Sequence, residues 1–229
     1  MTALDFLSPA LARDEGAFHP VARSAAERVF AAAGAIFDER DGWRVPTIVP
    51  DTEAHSSSVG IADLSHLGKL DVRPAPSEPE PEPQAGRERD PQPEREPDER
   101  LRRSVTSSVV YRLSPRRALV LFAEKDRVEV SAALGGSTQV LDVTGAYTVL
   151  AVTGPEARAL IARLTHLHHF PSGGEVAHVT AHVLPAGDGF RILVAQELGH
   201  YLAEVALDRA QALGGGLVGV DALPEDERP

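Results

Sequence analysis

The densest group of side chains able to do chemistry is His166, His168 and His169, within the run THLHHFP. Imidazoles bind zinc or nickel, but a site needs three or four convergent ligands in a defined geometry. This run follows a predicted helix, where histidines cap the helix end or stay solvated. No metal site is expected from it. His178 and His182 share one face of a regular strand, because four residues is an even spacing. They are expected to line a half-buried face without a metal. Asp63, Ser65 and His66 have the residue types of a serine hydrolase. Three residues so close in sequence rarely converge as a triad, and the chain has no G-x-S-x-G elbow. Their expected role is to cap a helix or to fix a turn by side-chain-to-backbone hydrogen bonds. Gly214 to Gly216 is no phosphate loop, since no strand–loop–helix unit carrying a lysine follows it. Glu204, Asp208 and Arg209 read as the solvated face of a last helix. The chain contains no cysteine, which excludes disulfides, thiolate nucleophiles and Cys-based zinc or iron–sulfur sites.

The elements that must position these residues are legible from pattern. Residues 22–35 are Ala-rich and predict a helix closed by Gly34. Gly42 starts a turn before Trp43, and Pro46 and Pro50 keep that stretch extended. Residues 59–64 are short and apolar, and 69–73 alternate as a strand does. Residues 105–113 and 118–123 predict a hairpin joined at Ser114-Pro115. A helix over 125–134 ends at Gly135-Gly136. Strands over 139–143 and 147–152 flank Thr144-Gly145, and Pro155 opens a helix running to Leu164. Strands over 176–184 and 190–194 flank Gly187-Asp188-Gly189, and a final helix covers 196–213. This order predicts an α+β fold with helices on one face of mainly antiparallel sheets.

One segment interrupts the pattern. Residues 74–103 are almost devoid of apolar side chains and rich in Pro, Glu and Arg. Such a stretch buries too little surface to offset its ordering entropy. It is expected to be a disordered linker between an N-terminal part, 1–73, and a C-terminal α+β part, 104–222, with 223–229 as a tail. The formal net charge is −11, with 34 acidic and 23 basic residues. Phosphate binding needs clustered positive charge, so neither nucleic acid nor an anionic membrane is an expected partner. No run of about 20 apolar residues exists to span a bilayer. Met1 to Gly16 carries Asp5, Asp14 and Glu15 in place of a basic head before an apolar run, so no secretory leader is expected and the cytoplasm is the expected compartment.

Two stretches carry a family resemblance. GAIFDERDGWRVPTIVP (34–50) and VGIADLSHLGKLDV (59–72) resemble consecutive blocks of the glycine-cleavage T-protein, or aminomethyltransferase, family, whose relatives include sarcosine oxidase subunits and domains. The match is most specific at Val59, Gly60, Ile61, Asp63, Leu64, Ser65, His66, Leu67, Gly68 and Lys69. Further on, VVYRL (109–113), LDVTGAYTVLAVTGPEARALIARLT (141–165) and AGDGFRILVA (186–195) resemble the family's I-V-Y-R-L hairpin, its G-P helix entry and its G-E-D-G-F-E-I strand. The resemblance implies a ferredoxin-like antiparallel unit plus a small N-terminal part. That is a T-protein-like folate-binding fold without the C-terminal barrel, with a folate cleft between two domains.

The chain departs from that family at polar positions. Where the family carries a D-D pair before its I-V-Y-R-L strand, this chain has Thr106 and Ser107. A hydroxyl cannot act as a base near neutral pH without an activator. The family's asparagine at the end of the next strand falls near Phe122, and the second Glu of its G-E-D-G-F-E-I strand is Arg191. No catalytic residue is therefore assigned. The resemblance implies a non-catalytic subunit of a sarcosine oxidase-type amine oxidase complex, similar to the gamma subunit, with other protein subunits as partners and the flavin and folate chemistry on the larger ones. The alternative is a tetrahydrofolate-dependent aminomethyltransferase of one-carbon metabolism. For that reading the resemblance implies Tyr111, Tyr147 and Asp188 as the residues nearest the cofactor. Under the subunit reading, an apolar surface is expected along 155–164, covered only in the complex.

Overall fold

The computed structural model describes residues 20–74, 108–114, 116–134 and 138–224. The linker reading of 74–103 and the tail reading of 223–229 fall almost wholly outside these residues, as do Thr106 and Ser107. Contacts group the chain into two compact units: residues 1–67 with 143–229, and residues 68–142. Both boundaries fall between strands that pair within different sheets, so the division follows hydrogen-bond ladders and not the Pro-rich segment.

The first unit opens with β1 (Ala22–Arg23), α1 (Glu27–Ala32), β2 (Ile36–Arg40), β3 (Trp43–Ile48), α2 (Thr52–Ser56) and β4 (Gly60–Asp63). It resumes with β9 (Tyr147–Thr153), α4 (Ala157–Leu164), β10 (Ser172–Val176), β11 (Val179–Ala186), β12 (Gly189–Ala195), α5 (Gly199–Gln211) and β13 (Gly216–Leu217). These build a three-stranded sheet, β1-β3-β2, and a six-stranded sheet, β10-β11-β12-β9-β4-β13. Pairing is antiparallel except for β1 with β3 and β4 with β13. One face of the six-stranded sheet carries Ile61, Leu150, Val152, Val183, Ile192 and Val194. These pack with Phe30 of α1, Leu160, Ile161 and Leu164 of α4, and Leu202, Ala203 and Ala206 of α5 in one buried core. The α+β class with helices on a mainly antiparallel sheet is therefore the observed one.

The second unit contains β5 (Gly68–Pro74), β6 (Val109–Ser114), β7 (Arg117–Phe122), α3 (Arg127–Ala133) and β8 (Thr138–Asp142), with sheet order β6-β7-β5-β8. Leu70, Val72, Ala118, Val120 and Phe122 face Val130 and Leu134 in a separate buried core.

Several local expectations are corrected. The first helix spans only Glu27–Ala32, because Ala22–Arg23 is drawn into a ladder with Trp43–Arg44. Strands β8 and β9 are not a hairpin: β8 pairs with β5, whereas β9 lies between β12 and β4. The strand expected over 176–184 is broken in two, since Ala177 and His178 both adopt positive φ, 48° and 66°. That is the backbone of a two-residue hairpin with inverted turn geometry, a conformation normally left to Gly or Asn. His178 therefore sits in a turn and does not share a strand face with His182.

The left-handed conformation costs a non-glycine residue about 1–2 kcal/mol. At Ala177 it is held in place: the Ala177 N–H donates to Leu164 O at 2.7 Å, and Tyr201 Oη donates to Ala177 O at 2.9 Å. The His178 side chain is 88 % exposed, and its contact with Glu175 is a surface ion pair of small worth. The substitution His178→Gly is expected to stabilise the protein by about 1 kcal/mol, raising the midpoint of thermal unfolding by about 2–4 °C. An unchanged or lowered midpoint would show that the turn carries no strain.

Candidate functional site

Alternation along the strands leaves each large sheet a second face, turned from its helices, and both second faces carry buried polar groups. In the six-stranded sheet Arg191 pairs in register with Ala151 on β9 and Leu184 on β11, and Leu193 pairs with Val149 and His182. Arg191 is 1 % exposed, among Ala62, Val149, Ala151, Leu184 and Leu193, all of them buried. On the same face, the half-buried rings of Tyr147 on β9 and His182 on β11 lie 6.4 Å apart, tilted by 59°. Gly173 allows His182 this position, since a Cβ there would come within 2.6 Å of the imidazole. Small residues beside a buried guanidinium and two aromatic polar rings make this face the candidate site of the first unit.

The second unit repeats the arrangement. Lys69, Asp71, Tyr111, Leu119 and Leu121 lie on the face opposite its α3-covered core, and all five are buried. Asp71 accepts two hydrogen bonds from Arg73, both at 3.1 Å, and a further pair of contacts from Arg117 at 2.9 Å. Burial by itself pushes the Asp71 carboxyl up, but the two guanidinium groups outweigh it and hold the carboxyl below its ordinary value. The unfolded chain then binds the proton more readily than the folded one, so this contribution to stability is present above about pH 4. It disappears as pH falls through the lower, folded value. Asp71→Asn is expected to cost about 3 kcal/mol at neutral pH, with the gap to the parent protein narrowing as pH falls below about 4. Urea unfolding at pH 7 and pH 2.5 measures both; a gap that does not narrow in acid would refute the assignment.

The block Asp63–Lys69 is a structural knot at its start. Asp63 Oδ1 accepts from the Ser65 N–H at 3.0 Å and the Ser65 hydroxyl at 2.5 Å, and the same hydroxyl oxygen accepts the Val149 N–H at 3.1 Å. Ser65 Oγ is thus engaged both as donor and as acceptor within the fold. The turn-fixing role read from the sequence is what the structure has.

Of the three residues implied for the cofactor, Tyr147 lies on the polar face of the six-stranded sheet. Asp188 lies in the exposed β11–β12 turn, at the far end of β12 from Ala195, the register partner of Tyr147. Seven residues of strand separate the two, about 20 Å. Tyr111 belongs to the other unit, on β6 opposite Leu119. The structure therefore does not bring Tyr147 and Asp188 together. Sequence reasoning passed over Lys69 and Asp71 as site residues, although charged residues inside a strand pattern were the available signal.

The histidine run also separates. His166 lines one cleft with Tyr201, and His168 and His169 line another with Arg158 and Asp188. Among the described residues no three His, Asp or Glu side chains converge as metal ligands. The helix α4 presents no apolar outer face: Ala157, Leu160, Ile161 and Leu164 are buried, while Arg158, Ala162 and Arg163 are exposed. The amphipathic period turned its apolar stripe inward onto the sheet. Exposed large apolar residues lie elsewhere, at Val21, Ile36, Ile48, Val128, Val140, Leu141 and Tyr201. No helix among the described residues is long and apolar enough to cross a membrane.

No family model matches the chain. An aminomethyltransferase from Streptomyces coelicolor is 28% identical over 199 residues, which cover 76% of this chain and 54% of that protein. The chain thus spans about half the length of the curated relative it matches. One chain of the heterotetrameric sarcosine oxidase from Corynebacterium sp. U-96, in complex with pyrrole 2-carboxylate, superposes with a TM-score of 0.57 at 16% identity, covering 85% of this chain and 97% of that one. The glycine cleavage system aminomethyltransferase T from Bartonella henselae superposes with a TM-score of 0.59 at 21% identity, covering 88% of this chain and 60% of that one. The T-protein resemblance read from the sequence is borne out, and the chain has the T-protein-like α+β fold of the aminomethyltransferase and sarcosine oxidase structures.

Proposed function

We propose that this chain is a non-catalytic, T-protein-like subunit of an amine oxidase complex of the sarcosine oxidase type. The observation that carries this reading is Phe122. It stands near the position where the resembled family has an asparagine, and it is fully buried, its ring filling the space beside Gly68. A Cβ on Gly68 would lie 2.4 Å from that ring. A group locked into an apolar core cannot hydrogen-bond a pterin. Arg191 adds a second change of the same kind, a buried cation at a position read as an acid in the family. The match to 97% of the sarcosine oxidase chain, against 60% of the T-protein, supports the same reading through size.

A tetrahydrofolate-dependent aminomethyltransferase is the second reading, favoured by the sequence match to the Streptomyces coelicolor protein. Under it, Tyr111, Tyr147 and Asp188 remain the residues proposed nearest the folate. Calorimetric titration of the folded chain with tetrahydrofolate separates the two. The subunit reading expects no binding at micromolar concentration, no aminomethyl transfer by the chain alone, and loss of amine oxidation when the chain is omitted from a reconstituted complex. Micromolar folate binding with transfer activity by the isolated chain would overturn it. The cytoplasm remains the proposed compartment.

A further inference from the structure

A cleft of about 460 Å³ lies between the end of α4, the β10–β11 turn and the outer face of α5, within the first unit. Its two arginines stand on helices and belong to neither polar sheet face. Arg163, His166, His178 and Arg209 line it, against Glu175 as its one acidic residue, and Tyr201 supplies an exposed aromatic ring. On a chain of net charge −11, Arg163 and Arg209 bring two permanent positive charges to one cleft. Arg163 and His166 have no hydrogen-bond or ion-pair partner among the described residues. Arg209 meets only the neighbouring, exposed Asp208, at 2.6 Å. Arg23 and Arg44, by contrast, are paired with Glu27, and Arg40 with Asp221.

The walls are tied to one another, so the cleft is preformed. Thr165 Oγ1 donates to Glu175 O at 2.5 Å and accepts the Leu167 N–H at 3.2 Å. The Ala177 N–H reaches Leu164 O, and Tyr201 Oη reaches Ala177 O. The carbonyls at the end of α4 are thereby partly satisfied, which lessens the negative potential a helix C-terminus would otherwise put there. The two left-handed residues stand at the rim, where they put the His178 side chain into solvent. Backbone held in a sparsely populated region clusters at ligand clamps.

We propose that this cleft binds a small carboxylate anion. Guanidinium groups bind carboxylates in paired, charge-assisted hydrogen bonds. The volume suits a small organic molecule, and an aromatic wall beside polar groups is the usual composition of such a site. The site is independent of the folate question, since Arg163 and Arg209, which carry the proposed binding, stand on α4 and α5 and not on a polar sheet face.

The test is calorimetric titration of the full chain with succinate and citrate, with inorganic phosphate as a parallel probe. Saturable binding of at least one carboxylate with a Kd below about 1 mM is expected, weakened at least tenfold by the double substitution Arg163→Gln with Arg209→Gln. Both arginines are exposed, so the variant is expected to fold, as circular dichroism will show. Arg28→Gln, at an exposed position on α1, serves as the control and is expected to bind as the parent does. The proposal fails if no carboxylate binds the folded parent at 20-fold that concentration, or if the double variant binds equally well. Phosphate binding as tightly as either carboxylate would overturn the carboxylate assignment.

Discussion

Gly154→Ala is expected to remove about 3–4 kcal/mol of folding stability, combining the left-handed penalty with a backbone clash. Gly154 has φ of +96°, a conformation that a residue with a Cβ rarely adopts. A Cβ there would also lie 2.6 Å from the carbonyl oxygen of Ser58. That oxygen cannot retreat cheaply, because it accepts the Glu156 N–H at 2.9 Å and so joins the start of α4 to the segment before β4. Substitution therefore strains the end of β9, the entry to α4 and the approach to β4 together. Single-domain stabilities are about 5–15 kcal/mol, so the loss takes a large share of the total. Urea unfolding checks it: a decrease under about 1 kcal/mol would mean that the turn relaxes, and that the Gly-Pro pair contributes less than its geometry implies.

Phe122→Ala is expected to cost about 4 kcal/mol, the range for deleting a buried phenyl ring. The ring is wholly buried with Leu70, Val72, Val120 and Val130. It also lies 5.4 Å beneath the Arg127 guanidinium, which is bound to Glu124 and, at 2.7 Å, to Asp142. Loss of the ring leaves a cavity beside Gly68 and removes the cation–π support of that ion pair. The informative comparison is with Phe122→Leu, which keeps most of the apolar volume and is expected to recover about half of the loss. If Phe122→Ala and the parent unfold at the same urea concentration, the ring is not a packing residue. The principal support for the subunit reading would then disappear.

Element type was legible wherever period and punctuation agreed. Pro155 and the apolar spacing Ala157, Leu160, Ile161, Leu164 announced α4, and the observed burial of those four residues is the stripe that spacing predicts. Gly187 at φ +53° closes the β11–β12 hairpin as expected. Pattern failed where a non-local ladder overruled local preference. Ala22–Arg23 has the composition of a helix, yet the free edge of Trp43–Arg44 captures it. The break at Ala177–His178 carried little signal, because alanine is not a usual left-handed type, and the contacts that hold it come from Leu164 and Tyr201.

The candidate site divided in the same way. By itself the sequence determined the class of fold and the T-protein resemblance, because motif and residue type are local properties of the chain. It also set the direction of α4, whose apolar stripe had to be buried somewhere. Only the tertiary structure decided which residues share a face: that Arg191, Tyr147 and His182 lie together on one sheet, that Asp188 stands at the far end of β12 from Tyr147, and that His166 and His168 line different clefts. The physical reason is strand register. Which residue of β12 stands opposite which of β9 is set by pairing across a long stretch of chain, and no spacing within one strand encodes it.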